Sequence, residues 1–167
     1  MAIDEELITN LRAHIGQTTQ KHLGELTVST IRRYARAVGE TNPLYYDITV
    51  AQNAGYKNIM APPNLIPSVV DWSEGSPEEG LRLDGTESGD HLPGVPASGV
   101  RVMGGGEDME FRLPAIAGNQ ITMESRLDAV ELRESSSGPM VILTYQNTYL
   151  NEEDQVLLTT TRTVLLR

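Results

Sequence analysis

From residue 100 onward the sequence falls into four β-patterned stretches, and that succession limits the possible folds more than any other feature. Residues 140–150 alternate with period two, placing Val141, Leu143, Tyr145 and Tyr149 on one side, as in a strand with one buried face. Residues 155–166 carry Thr159, Thr160 and Thr161 among aliphatic side chains and suit an extended backbone. Residues 121–134 are rich in β-branched and aliphatic types. Residues 100–111 are interrupted by Gly104, Gly105 and Gly106, a place for a bulge or for a close approach of backbone or ligand. Turns are written between the later stretches: Ser135-Ser136-Ser137-Gly138-Pro139 and Asn151-Glu152-Glu153-Asp154.

Upstream the apolar period lengthens. Asp4, Glu5 and Glu6 precede Leu7, Ile8, Leu11 and Ile15, with Gly16 just after; this reads as a short helix with acids at its positive end, covering something apolar. A second helix takes Ser29 as N-cap, spaces Ile31, Tyr34, Ala35 and Val38 at i, i+3, i+4 and i+7, and closes at Gly39. Arg32, Arg33 and Arg36 fall on its other face. Glu40-Thr41-Asn42-Pro43 is a turn, and a short helix over Val50, Ala51 and Ala54 stops at Gly55. Ala61-Pro62-Pro63 then presets a helix over 64–73 whose Leu65, Ile66, Val69, Val70 and Trp72 cover most faces, despite Pro67. Such a helix is buried nearly all round. Residues 74–99, rich in Gly, Pro, Ser and acids, form a long loop over a surface or a pocket mouth. Helices first and an antiparallel meander after them give an α+β class, in a single domain of residues 1–167.

Composition removes several function classes. The 167 residues carry 13 Lys+Arg against 23 Asp+Glu, a net charge of −10, which argues against nucleic acid as a partner. There is no cysteine, so disulfides and thiolate chemistry are excluded, and His14, His22 and His91 are too scattered for a metal cluster. No metal and no cofactor are expected. No apolar run is long enough for a membrane span and the acidic start is unlike a signal peptide, so the expected location is the cytoplasm.

Residues 34–47 read YARAVGETNPLYYD. Tyr34, Gly39, Asn42, Pro43 and Leu44 match a pattern of an aromatic residue, a glycine, Asn-Pro and an aliphatic residue. The segment resembles the signature of the MaoC-like enoyl-thioester hydratase/dehydratase family, built on the hot-dog fold. The downstream GYKNIMAPP looks like the N-terminal, dehydratase-like branch of that family, and GGGEDMEFRLPAIAGNQITMESRL resembles its returning strands. The resemblance covers about residues 25–166 and implies a sheet wrapped around a central helix.

For chemistry the resemblance implies a divided inheritance. Hydrating a double bond conjugated to a thioester requires a base for water, a group for the proton at the α carbon, and donors for the enolate oxygen. In the family an aspartate and a histidine supply the first two; the matching positions here are Glu40 and Tyr45. A tyrosine, with an ordinary pKa of about 10, donates a hydrogen bond at neutral pH but does not replace imidazole. The extra methylene of Glu40 moves its carboxylate by about 1 Å. Family members open the central helix with a glycine whose N–H binds the thioester oxygen, and here that stretch is Ala61-Pro62-Pro63, where proline has no N–H.

Paired hot-dog domains in the family divide labour, one carrying the dyad and the other shaping the acyl pocket. The chain resembles the second kind: an acyl-binding subunit of an enoyl-CoA or enoyl-ACP hydratase or 3-hydroxyacyl dehydratase, with a second hot-dog chain as partner and coenzyme A or an acyl carrier protein bearing the substrate. On this resemblance the candidate site residues are Glu40 and Tyr45 at the dyad positions, and Asn42, Pro43, Ala61, Pro62, Asn64, Gly104 and Gly105 around the acyl thioester. Arg32, Arg33 and Arg36, three cations within five residues of an acidic chain, are the candidates for a coenzyme A phosphate. Two other readings stay open: a homodimeric hydratase or thioesterase in which Glu40 or Asp71 activates water, and a silent acyl-CoA sensor. Tyr46 reads as a packing residue, Glu74 as an exposed helix end, and His91 as a solvated loop histidine.

Overall fold

The alternation at the end of the chain builds the frame. A computed structural model describes residues 3–68, 77–81, 85, 92–96, 99–135 and 138–167. In it β1 (Thr18–Glu25), β2 (Val102–Phe111), β3 (Gln120–Ser135), β4 (Gly138–Leu150) and β5 (Val156–Leu166) form a five-stranded sheet in the order β1-β3-β4-β5-β2. Every neighbouring pair is antiparallel. Along β4 burial alternates residue by residue, and Val141, Leu143, Tyr145, Asn147 and Tyr149 are all 4% exposed or less. Register places these beside Leu166, Val164, Arg162, Thr160 and Leu158 of β5 and beside Leu132, Val130, Leu127, Ser125 and Met123 of β3. Paired residues share a face, so one side of the sheet faces inward.

Two apolar clusters cover that face. In the first, α2 (Val28–Ala37) contributes Ile31 and Ala35, and the segment after it contributes Tyr45, Ile59, Leu65 and Ile66, against Ile121, Tyr149, Leu157 and Leu158. In the second, Leu7, Ile8 and Leu11 of α1 (Glu5–Ala13) pack on Leu127, Val130, Leu143, Val164 and Leu166. Each fully buried aliphatic side chain contributes about 1.5–3 kcal/mol. The β4–β5 turn is held by Asn151, whose Oδ1 accepts from the amides of Glu153 and Gln155 at 3.1 and 2.9 Å.

The four late strands occur within two residues of their expected bounds, and the glycine interruption is a bulge between Gly104 and Gly106. Three expectations need correction. A strand, β1, lies between the first two helices; its sequence TTQKHLGE buries only Leu23, so as a polar edge strand it shows no apolar period. The N-cap of α2 is Thr27, not Ser29: Thr27 Oγ1 accepts from Thr30 N at 3.1 Å, and Val28 is already helical. Val38 and Ile15 are exposed at 54% and 44%, because each helix ends before them and the helical phase is lost. Of the expected central helix, Leu65–Ser68 (α4) is helical with Leu65 and Ile66 buried. Its continuation over 69–73, Asp71, Glu74, His91 and most of the 74–99 loop lie outside the described residues.

Two measurements check this account. Thr27→Ala is expected to lower the unfolding free energy by about 1 kcal/mol in a urea titration, and Ser29→Ala by less than about 0.5 kcal/mol. The second concerns the core tyrosines. Burial pushes the Tyr149 hydroxyl up to about 12, with the charge of Glu107 adding and that of Arg162 opposing, and burial raises Tyr145 further. The folded state therefore holds protons that the unfolded chain releases near pH 10, so stability is complete below about pH 10 and is lost as pH climbs through 12. Between pH 8 and pH 11.5, Tyr149→Phe is expected to lose roughly 1–2 kcal/mol less than the unsubstituted chain.

Candidate functional site

The segment that follows α2 is built from caps and turns. Gly39, at φ 75°, ends the helix in the left-handed region that glycine adopts without strain. Glu40 N then donates to Ala35 O at 2.8 Å. Asn42 caps a single 3-10 turn, Pro43–Tyr45, its Oδ1 accepting from Leu44 N at 3.1 Å. Pro43 sits at the start of that turn, where no amide is needed. Asp47 caps α3 (Ile48–Asn53) in the same way, with Oδ1 2.7 Å from Thr49 N.

Long-range bonds tie this segment to its neighbours. The Tyr46 hydroxyl donates to Glu40 O at 2.7 Å, and Arg32 Nη2 donates to Tyr46 O at 2.6 Å. Met60 N donates to Leu44 O at 2.9 Å, while Ala61 N donates to Ala115 O at 2.8 Å. The Glu40–Tyr46 loop, the entry to α4 and the chain that follows β2 thus meet at one end of the sheet.

At that end lies a cavity of about 250 Å³. Its walls are Met60, Pro62 and Ile66 from one side, and Phe111, Leu113 and Leu158 from the sheet edge. Apart from Arg112, which pairs with Glu110 at 2.7 Å, the lining is apolar, as a hydrocarbon chain requires. Ala61 and Pro62 border it directly. The amide of Ala61 is already committed to Ala115 O, and Pro62 and Pro63 have none. The entry to α4 therefore presents no free N–H from residues 61–63 to a carbonyl oxygen.

Tyr45 is 8% exposed and belongs to the first apolar cluster. Burial, the larger cause, raises the pKa of its hydroxyl, the negative charge of Glu40 adds to that, and a hydrogen bond to Asn42 acts in the other direction. It stays protonated at neutral pH. Glu40 itself is exposed. An exposed carboxylate beside a buried phenol can hold a proton donor in place but offers no imidazole to relay one.

The remaining candidates divide by position. Asn42 and Pro43 shape the loop, and Asn64 is exposed at the entry to α4. Arg32 is exposed and engaged with Tyr46 O, while Arg33 and Arg36 are exposed on α2. Gly104 and Gly105 sit at the far end of β2 from the cavity, roughly 20 Å away by strand rise. A Cβ on Gly105 would come within 2.8 Å of Thr163 Cγ2, so the neighbouring strand accounts for that glycine. The cavity residues Phe111 and Leu113 were not legible as site residues, although an apolar pair flanking Arg112 at the end of an edge strand was a signal. Among the described residues no group of three or more His, Asp and Glu is placed to hold a metal ion. No described helix is long and apolar enough to cross a membrane.

Comparison with known proteins places this geometry. Residues 13–160 match the family described as FAS1-like, dehydratase domain region. A UPF0336 protein of Parafrankia is 26% identical over 123 residues, which is 74% of this chain and 72% of that one. A protein of Thermomonospora curvata named "Probable enoyl-CoA hydratase alpha subunit" is 24% identical over 166 residues, covering 93% of this chain and 50% of the relative. The chain thus spans about half the length of that relative. Among solved structures, the ChsH1-ChsH2 complex from Mycobacterium tuberculosis superposes with a TM-score of 0.67 at 16% identity, over 96% of this chain and 94% of that one. The MaoC-like dehydratase from Rhodospirillum rubrum superposes with a TM-score of 0.62 at 20% identity, over 91% of each. These structural likenesses establish the hot-dog fold.

Proposed function

Because the chain belongs to the FAS1-like dehydratase-domain family and has the MaoC-like hot-dog fold, we propose that it is the acyl-thioester-binding subunit of an enoyl-thioester hydratase or 3-hydroxyacyl dehydratase. It shapes the acyl pocket, and a second hot-dog chain supplies the acid and the imidazole. The observation that carries this reading is the entry to α4. The Ala61 amide is bonded to Ala115 O, Pro62 and Pro63 have none, and the residue at the imidazole position, Tyr45, is a buried phenol. A pocket wall remains where the machinery for an enolate is missing.

The apolar cavity of about 250 Å³ supports an acyl ligand. The partner's place is supported by the sheet edges. β1 is polar along its length, whereas β2 exposes Met109 and Phe111 at 37% and 48%, followed by Leu113 at 45%. An uncovered edge of this kind is suited to pairing with another strand. Arg33 and Arg36 are exposed on α2 and can meet a coenzyme A phosphate, and Arg32 fixes the loop below them through Tyr46.

The test compares the chain alone with the chain co-expressed with a hot-dog partner encoded by a neighbouring gene. Alone it is expected to leave crotonyl-CoA and bulkier enoyl-CoAs unhydrated, and the complex is expected to hydrate them. In the complex, Glu40→Gln and Tyr45→Phe are expected to change kcat by less than about threefold, against the 10²–10⁴-fold that removal of a working acid or base costs. Hydration by the isolated chain that collapses with Glu40→Gln would assign catalysis to Glu40. Release of free thiol in place of hydration would make the chain a thioesterase, and tight binding without turnover in the complex would make it a sensor.

A further inference from the structure

The inward face of the sheet is not apolar throughout. Between the two clusters run two polar rows. In one, Thr160, Asn147 and Ser125 stand opposite one another across β5, β4 and β3, with the apolar Met109 of β2 at the row's end, and Asn147 Nδ2 donates to Thr160 Oγ1 at 3.1 Å. In the next, Glu107, Arg162 and Tyr145 stand opposite one another across β2, β5 and β4.

That second row is unsatisfied. Tyr145 is 1% exposed, and among the described residues its hydroxyl has no hydrogen-bond partner. Glu107 Oε1 is buried and likewise has none among the described residues. Arg162 is partly buried and makes no hydrogen bond or ion pair among the described residues. Leaving such groups unpaired sacrifices their hydration with nothing in return, so a row of three calls for a guest.

The row borders a partly open edge of the sheet. β2 is an edge strand, and its inward residues Phe111 and Met109 are uncovered, with Glu107 partly so. Phe111 and Leu158 line the cavity, and Glu107 lies four residues further along the same strand, about 13 Å by strand rise. Glu107 and Arg162 therefore stand on the same inward face of β2 and β5 as the cavity residues Phe111 and Leu158, further along those strands. A carboxylate there would face Glu107 and an ammonium would face Arg162. A neutral group that both donates and accepts meets neither repulsion.

We propose that this row recognises a hydroxyl group on the far part of the acyl chain, making the ligand an oxygenated acyl thioester instead of a plain fatty one. The hydroxyl oxygen accepts from Arg162 or Tyr145, and its proton is donated to Glu107 Oε1. Burial keeps Tyr145 protonated and able to donate. The inference rests on the acyl-thioester reading above and names the substrate class of that site.

Calorimetric titration of the full chain with dodecanoyl-CoA, ω-hydroxydodecanoyl-CoA and dodecanedioyl-CoA tests it. The hydroxylated thioester is expected to bind about tenfold tighter than either of the others. Arg162→Met, Glu107→Gln and Tyr145→Phe are each expected to shrink that preference while leaving dodecanoyl-CoA binding unchanged. Tyr145→Phe and Glu107→Gln are near-isosteric, so the test survives if Arg162→Met does not fold. Equal binding of the hydroxylated and plain chains, tighter binding of the diacid, or a preference that persists in Glu107→Gln and Tyr145→Phe would overturn the inference alone. Failure of all three thioesters to bind would remove the acyl-thioester reading with it.

Discussion

Period-two alternation along β4 commits Val141, Leu143, Tyr145, Asn147 and Tyr149 to one face of the sheet, and the antiparallel register extends that commitment to β3 and β5. A slip of one residue would turn all of them to the other side. Once the face is fixed, its apolar ends must be covered. α1 covers one end through Leu7, Ile8 and Leu11, and α2 with the chain after it covers the other. The cavity and the neighbouring Glu40–Tyr46 loop lie at the second end because α2, α4 and the chain leaving β2 converge there.

Coverage and chemistry compete for the same groups. A backbone amide that closes the structure by donating to Ala115 O is not available to an oxyanion, and a tyrosine that fills the core is not available to move protons. The interior is nonetheless not optimised as a core. Among the described residues, Glu107, Arg162 and Tyr145 stand inward with hydrogen-bonding capacity unused, a burden on stability that a purely structural sheet has no reason to carry. The apolar ends of the inward face thus behave as packing, and the polar row between them does not.

Much of this was legible in the residue order. Strands with strong alternation, helices with a 3.6-residue apolar period, and turns marked by Gly, Pro, Asn and Asp were all readable, because burial on one face imprints directly on spacing. The Asn42-Pro43 turn and the missing amides at Pro62 and Pro63 were readable too, since both follow from covalent structure. β1 was not readable. An edge strand with one buried residue leaves almost no apolar imprint, and its pairing to β3 is a long-range event. The capping role of Thr27 was missed because Ser29 has the same chemistry two residues away, and only the backbone angles distinguish them.

The cavity walls and the polar rows belong to another category. Phe111 and Leu158 lie far apart in the chain and become neighbours through strand register, as do Glu107, Arg162 and Tyr145. A polar residue in the inward phase of an apolar strand, such as Asn147 or Arg162, could be flagged from spacing, but its companions could not. Local chemistry set the elements, their caps and the donors the chain lacks, because those depend on residues within a few positions. Which side chains share a wall, and which polar groups are left without partners, followed from the pairing of distant strands, since register has no counterpart in nearest-neighbour sequence.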